Sequence, residues 1–287
     1  HSVVYGSKSI AIPLVNAQVN INAIKYPIDY IESPFYTGNF FDMPEQLLSI
    51  KSLFEKLKET LKLPTLKLTL DNHIPVSAGL GASAAIAAAL IKTLYAFAEI
   101  ELTEEMLLES IDYAESISHG KASGIDARAV SSNHTFIFEK GNMTPIKMNL
   151  DAYLLVVHSN IAGRTKEAVS VVRKGLVDKE KEAALKALFS YTETAIDAIT
   201  QKDITTLGQT LTAVHHELSA LGVSNKTLDH MVQLALENGA FGAKLTGGGL
   251  GGCMLALCNK KTLDILKDMY KREGYHIQFV HDLKEAL

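Results

Sequence analysis

The chain has 287 residues, 47% hydrophobic and 21% charged, with a formal net charge of −4. That length is ample for a large core and favours two domains. No sustained basic cluster occurs, which excludes a nucleic-acid surface. A bound polyphosphate would therefore need a local field from loop N–H groups, a metal and a few placed cations.

The chain opens on His1-Ser-Val-Val-Tyr-Gly6, which reads as the middle of an element, so further residues are expected upstream. It shows no signal-peptide pattern. Residues 10–15 and 17–23 alternate like strands, and 26–44, rich in Pro, Tyr, Phe and Gly, reads as a loop or irregular hairpin. From Pro44 to Leu61 the apolar residues Leu47, Leu48, Ile50, Leu53, Phe54 and Leu57 form a helical stripe. A strand at Leu66–Asn72, a glycine loop and a helix over about 82–98 follow. That helix is the most apolar run, but Lys92 interrupts it and it falls short of the roughly 20 residues of a membrane span. Thr103 caps the next helix, which runs to about Ser118.

A second glycine turn, His119-Gly-Lys-Ala-Ser-Gly-Ile-Asp126, precedes strands at 135–138 and 153–158. Residues 165–240 read as helices broken near 178, 203 and 222–225. A third glycine loop, Lys244-Leu-Thr-Gly-Gly-Gly-Leu-Gly-Gly252, feeds a strand at 253–257, then a helix at 261–273 and a strand near 276–280. Cys253 and Cys258, five apart on a strand, point to opposite faces; they do not suit a disulfide and fit a reducing cytosol. The mixture is α+β with mainly antiparallel pairing and a domain boundary near 155, giving domains at 1–155 and 156–287.

The stretch Pro75-Val-Ser-Ala-Gly-Leu-Gly-Ala-Ser-Ala84 carries the most information. Strand, glycine loop and helix N-terminus in that order build an anion site, since free N–H groups and the helix dipole converge there. Gly79 and Gly81 permit φ > 0 and close approach of the backbone to a polyphosphate. Ser83 offers a hydroxyl to phosphate or its Mg²⁺. The loop is neither a Walker P-loop nor Gly-x-Gly-x-x-Gly, because no Gly-Lys-Ser/Thr follows and position 84 is Ala84. Its alternative is a glycine turn built for packing alone.

Glu115 and Asp126 flank the second turn, and two carboxylates in different surroundings can divide labour: one coordinates a hard cation, the other accepts a proton. An ordinary solvated helix residue and a helix cap are the competing readings. Lys244 with the 247–252 run can form a backbone nest for an anion, or a wide turn feeding the next strand. Arg164, Thr165 and Lys166 start a helix, where cations oppose the dipole unless an anion compensates. His215-His216-Glu217 lacks the second histidine of a zincin and reads as helix surface with one packed ring. Ser123 lies outside any nucleophile elbow.

The three glycine loops, in this order and spacing, resemble the GHMP kinase superfamily over nearly the whole chain. His119-Gly-x-x-Ser-Gly-Ile-Asp126 with Lys244-Leu-Thr-Gly-Gly-Gly is most similar to its bacterial mevalonate kinase branch. His1-Ser-Val-Val-Tyr-Gly6 resembles the tail of that branch's Gly-Glu-His-x-Val-Val-Tyr-Gly segment, whose upstream part carries the family's catalytic lysine. The resemblance implies a two-domain GHMP kinase fold: an N-terminal domain like the second domain of ribosomal protein S5 and a ferredoxin-like C-terminal domain.

It also implies ATP-dependent phosphorylation of mevalonate to 5-phosphomevalonate in the mevalonate pathway of isoprenoid biosynthesis, with ATP and Mg²⁺ as cofactors. Pro75, Ser77, Ala78, Gly79, Leu80, Gly81, Ala82, Ser83 and Ala84 would hold the nucleotide, Ser83 and Glu115 the Mg²⁺. Asp126 would be the catalytic base. His1, His119, Ser123, Gly124, Thr165, Gly247 and Gly248 would line the substrate. A cytoplasmic homodimer with no membrane or nucleic-acid partner is the family-level expectation. The alternatives are another GHMP small-molecule kinase, or a relative that binds nucleotide or metabolite without turnover. The chain departs from the family pattern at Ala82, usually serine; at His158-Ser159-Asn160, usually Asp-Thr/Ser-Gly; and at Leu250, often small or basic.

Overall fold

A computed structural model describes residues 2–14, 17–119 and 123–284, apart from the side chains of Ser118 and His119. In chain order the elements are β1 (Ser9–Ala11), β2 (Val19–Lys25), β3 (Tyr30–Glu32), β4 (Thr37–Asn39), α1 (Leu48–Thr60), β5 (Leu66–Asn72), α2 (Ala82–Ala98), α3 (Glu104–His119) and α4 (Ile125–Ser131). There follow β6 (Phe136–Glu139), β7 (Asn142–Pro145), β8 (Tyr153–His158), α5 (Thr165–Gly175), α6 (Lys179–Gln201), α7 (Ile204–Ala220), α8 (Lys226–Glu237), β9 (Gly242–Leu245), β10 (Cys253–Cys258), α9 (Lys260–Arg272) and β11 (His276–Asp282).

These elements form two compact units interleaved in sequence. One comprises Val15–Pro75 and Gly81–Ser132; the other comprises His1–Leu14, Val76–Leu80 and Asn133–Leu287. The division as folded thus differs from a single cut near residue 155. The start of the chain and the short segment 76–80 group with the C-terminal part.

In the unit built on Val15–Pro75 and Gly81–Ser132, four strands run in the order β2-β5-β3-β4. Pairing is antiparallel except for β3 with β5. Strand β5 shows why it forms: Leu66, Leu68 and Leu70 are buried on one face, while Lys67, Thr69 and Asp71 take the other. The expected stripe of α1 buries Leu53, Phe54 and Leu57, and the Phe54 ring stacks on Phe40 with centroids 4.0 Å apart. Thr103 caps α3 as expected, its Oγ1 accepting the Met106 N–H at 3.2 Å. Small residues let the remaining helices approach closely. Ala84 and Ala87 of α2, Ala114 of α3 and Ala127 of α4 are buried in one cluster.

The other unit holds two antiparallel sheets, β1-β6-β7 and β11-β8-β10-β9. The four-stranded sheet packs against α5, α7, α8 and α9 through a core including Leu155, Val157, Val172, Leu218, Leu228, Met231, Leu245, Leu266 and Tyr270. Cys258 lies in that core, whereas Cys253 packs with Ala78 and Val156 on the opposite face, as the strand period requires. Both thiols are free and buried, and burial pushes each up to about 12, which makes them inert. Helices α6 to α9 start where expected because Asp178, Asp203, Asn225 and Asn259 each accept a first-turn N–H. Strands β7 and β9 and helix α4 were not anticipated. No helix among the described residues is long and apolar enough to cross a membrane.

Helix α7 lies directly on β9 because both carry glycine at the crossing. A Cβ on Gly242 would stand 1.8 Å from the Gly208 carbonyl oxygen, and one on Gly208 would stand 2.3 Å from that of Phe241. Helix propensity alone makes Gly208→Ala stabilising by about 1 kcal/mol. The structure reverses that sign: the variant is expected to lose at least ~1–3 kcal/mol, read as a lower midpoint in urea. An unchanged or raised midpoint would refute the contact.

Candidate active site

In the unit that contains them, the first and third glycine loops meet backbone to backbone. A Cβ on Gly247 would lie 2.4 Å from the Gly79 Cα, and one on Gly79 would lie 2.8 Å from the Gly247 Cα. The segment preceding α5 closes the same knot. Gly163 donates its N–H to the Ser77 carbonyl at 2.6 Å, and Cys253 donates to the Ala78 carbonyl at 3.1 Å. Arg164 donates to the Gly249 carbonyl at 3.1 Å, and Gly252 to that of Ile161 at 2.7 Å. Thr165, the first residue of α5, sits over Gly248, where a Cβ would stand 2.0 Å from its hydroxyl oxygen. Ser77, Gly79 and Thr165 are exposed, while Ala78 anchors the segment in the core. The structure therefore brings Ser77, Ala78, Gly79, Thr165, Gly247 and Gly248 together.

Several of these backbones are strained. Ser77 and Leu250 occupy the left-handed region at φ 55° and 57°, beside Gly79, Gly247, Gly249, Gly251 and Gly252, whose φ values are also positive. Leu250 is held there by its N–H, which donates to the Val223 carbonyl at 2.7 Å. Asn160, standing where the resemblance has glycine, is left-handed too at φ 60°, a conformation asparagine tolerates better than most residues.

In the other unit, Ser83, Glu115 and Asp126 lie on three helices that pack together. Each adjoins a shared core alanine: Ala84, Ala114 and Ala127. The start of α2 lies against α4, with the Gly81 Cβ position 3.8 Å from Val130 Cγ1. Glu115 is buried at 6% exposure, whereas Asp126 is exposed in the first turn of α4. The two acids thus differ in surroundings, as two roles require. Arg128 steadies α4: its guanidinium donates to the Gly124 carbonyl at 2.9 Å and lies 3.9 Å from Asp112 of α3.

Among the described residues, five helix starts carry a side-chain cap and four do not, α1 after Leu47 among the latter. The N-caps of α2 and α4 are Gly81 and Gly124, left-handed at φ 70° and 79°, and neither offers a side-chain cap. Arg164 before α5 offers none either. By contrast α3, α6, α7, α8 and α9 are closed by Thr, Asp or Asn. The helices that carry Ser83, Asp126 and Thr165 therefore begin without a side-chain cap, as α1 also does.

Other expectations resolve differently. Arg164 is matched by Glu167 at 2.8 Å on the surface. The Lys244 ammonium turns back to donate to the Leu245 carbonyl at 2.6 Å, and burial lowers its pKa to about 8. His215 is the packed ring and His216 the exposed one. Ser123 and Gly124 are half-buried ahead of α4. His1 and the His119 side chain lie outside the described residues. Residues 76–80 separating from 81–84 had no signal in the sequence.

The model for the GHMP kinases N terminal domain matches residues 49–133, and that for the GHMP kinases C terminal matches 195–276. The chain is 32% identical to a mevalonate kinase of Pyrococcus horikoshii, over 90% of this chain and 84% of that protein. The crystal structure of mevalonate kinase from methicillin-resistant Staphylococcus aureus is 30% identical, covering 99% of this chain and 94% of that one, with a TM-score of 0.74. The fold is also that of L. major mevalonate kinase in complex with R-mevalonate, with a TM-score of 0.81 at 24% identity over 98% and 90% of the two chains.

The glycine contact makes a sharp expectation. Gly247→Ala should force the first and third loops apart and free the Ser77 and Ala78 carbonyls from their donors. Amide exchange at Gly163 and Cys253 should then quicken by roughly tenfold or more, as expected for a lost buried hydrogen bond. Unchanged protection at both amides would show that the loops do not meet.

Proposed function

The chain belongs to the GHMP kinase family, and from that premise we propose that it transfers the γ-phosphoryl group of ATP to mevalonate, giving 5-phosphomevalonate and ADP. The observation that carries this reading is the backbone contact between Gly79 and Gly247, with the Thr165 hydroxyl over Gly248 where α5 starts without a side-chain cap. Phosphoryl transfer mainly demands alignment and neutralisation of charge, which backbone N–H groups, a metal and few side chains can supply.

Residues 75–84 would hold the ATP phosphates: Gly79 and Gly81 are left-handed, and the 82–84 N–H groups open the helix. The Ser83 hydroxyl and Glu115 carboxylate would make an all-oxygen donor pair, which suits Mg²⁺. That ion takes one or two carboxylates and fills its shell with phosphate oxygens and water. Mg²⁺ would neutralise charge on the transferred phosphate.

Asp126 would accept the proton of the mevalonate primary hydroxyl as that oxygen bonds to phosphorus and the bond to ADP breaks. Its exposure in the first turn of α4 leaves it reachable. Thr165 with Gly247 and Gly248 would face the transferred phosphate, and His1, His119, Ser123 and Gly124 the substrate.

ADP release measured with mevalonate, phosphomevalonate, homoserine and galactose tests the substrate; turnover of mevalonate no better than the others would overturn the reading. Asp126→Asn should lower kcat by about 10²–10⁴-fold with nucleotide affinity retained. An Asn variant with near-normal kcat would remove Asp126 from the chemistry. Glu115→Gln should raise the Mg²⁺ concentration for half activity more than the mevalonate KM, and equal changes would count against it.

A further inference from the structure

Strand β9 is the edge of its sheet, pairing with β10 on one side only. An edge strand presents alternate N–H groups outward, and these need partners when covered. Helix α7 supplies both. The Ala243 N–H donates to Thr212 Oγ1 at 3.3 Å, and the Leu245 N–H donates to His215 Nδ1 at 3.2 Å. Two residues beyond Leu245 the glycine run of the third loop begins at Gly247.

The His215 ring is 3% exposed. Because Nδ1 accepts, the ring proton lies on Nε2, which stands 3.1 Å from Asp229 Oδ1 of α8. The same carboxylate oxygen accepts the Ser224 hydroxyl at 2.6 Å. Ser224 follows Val223, whose carbonyl holds the Leu250 N–H. One cluster at the α7–α8 junction therefore touches the loop at two points, Leu245 and Leu250.

We infer that His215 is a positioning residue for the third glycine loop, fixing its approach through the Leu245 N–H and releasing it when the ring is protonated. A protonated Nδ1 is a donor facing a donor, so the strand–helix contact cannot survive it. The charged and titratable groups facing the ring are Asp229 of α8, Lys244 of β9 and His216 of α7. Burial, helped by Lys244 and His216 against Asp229, lowers its pKa from 6.5 to about 4. The folded value lies below the unfolded one, so the contact contributes fully above about pH 6.5 and is lost as pH falls towards 4.

The inference rests on the kinase reading for its effect on turnover, and on the fold alone for the contact. His215→Asn keeps an acceptor near the Nδ1 position but cannot titrate; His215→Leu fills the space without an acceptor. In the Leu variant, Leu245 amide exchange at pH 7 should quicken by roughly tenfold or more, and ADP release should show a lower kcat with a raised KM for ATP. The Asn variant should restore both and abolish the extra loss of Leu245 protection that the unaltered chain shows between pH 6 and 4.

Wild-type protection in the Leu variant, or an Asn variant matching Leu, would overturn the role of the ring. A Leu variant that fails to fold while Asn folds and keeps protection supports it. Exchange at Leu245 is read without substrate, so an absence of mevalonate turnover would sink the proposed function and leave this contact standing.

Discussion

Two stretches of main chain about 170 residues apart can touch only where neither carries a side chain, and the contact between Gly79 and Gly247 meets that condition. The surrounding contacts obey the same rule. A Cβ on Gly163 would stand 2.8 Å from the Ser77 carbonyl oxygen, and one on Gly252 would stand 2.7 Å from that of Ala78. Glycine costs conformational entropy on folding, and five of the six residues from 247 to 252 accept that cost. What they gain is a backbone surface whose hydrogen-bonding groups are fixed by neighbouring backbone and not by mobile side chains.

Helix ends differ in how their first-turn donors are satisfied. Helices α3, α6, α7, α8 and α9 are closed by Thr, Asp or Asn, which satisfies first-turn donors locally, whereas α1 has no side-chain cap at Leu47. Those bearing Ser83, Asp126 and Thr165 begin without such a cap. Alanine does comparable work between α2, α3 and α4. With Ala84, Ala114 and Ala127 at the shared surface, the helix axes approach closely, and their polar neighbours in sequence follow. Glu115 is drawn into the interior while Asp126 stays exposed, so two chemically similar acids acquire different environments.

Much of this was legible locally. The strand at Leu66–Asn72, the helix from Ala82 to Ala98 and the breaks near 178, 203 and 222–225 follow from period, caps and glycines, and the structure reproduces them. Strand β9 was not legible. Gly242-Ala-Lys-Leu245 has no alternation to read and owes its conformation to β10 on one side and to Thr212 and His215 on the other. Helix α4 hid behind a glycine cap and spans only seven residues. The pair His215-His216 read as helix surface with one packed ring; the structure assigns that ring to His215, and its acceptor role depends on a strand that the sequence did not announce.

The longer elements, the glycine positions and the identities of the acids were thus determined by the sequence itself, because periodicity and left-handed residues act over a few neighbours. Tertiary structure alone decided that residues 76–80 leave their own strand and helix to join the C-terminal unit, and that the dividing line in space does not fall at one point in the chain. The physical reason is that a glycine is selected for what lies opposite it. Nothing near Gly79 in sequence names Gly247, and only folding brings the two main chains within van der Waals reach.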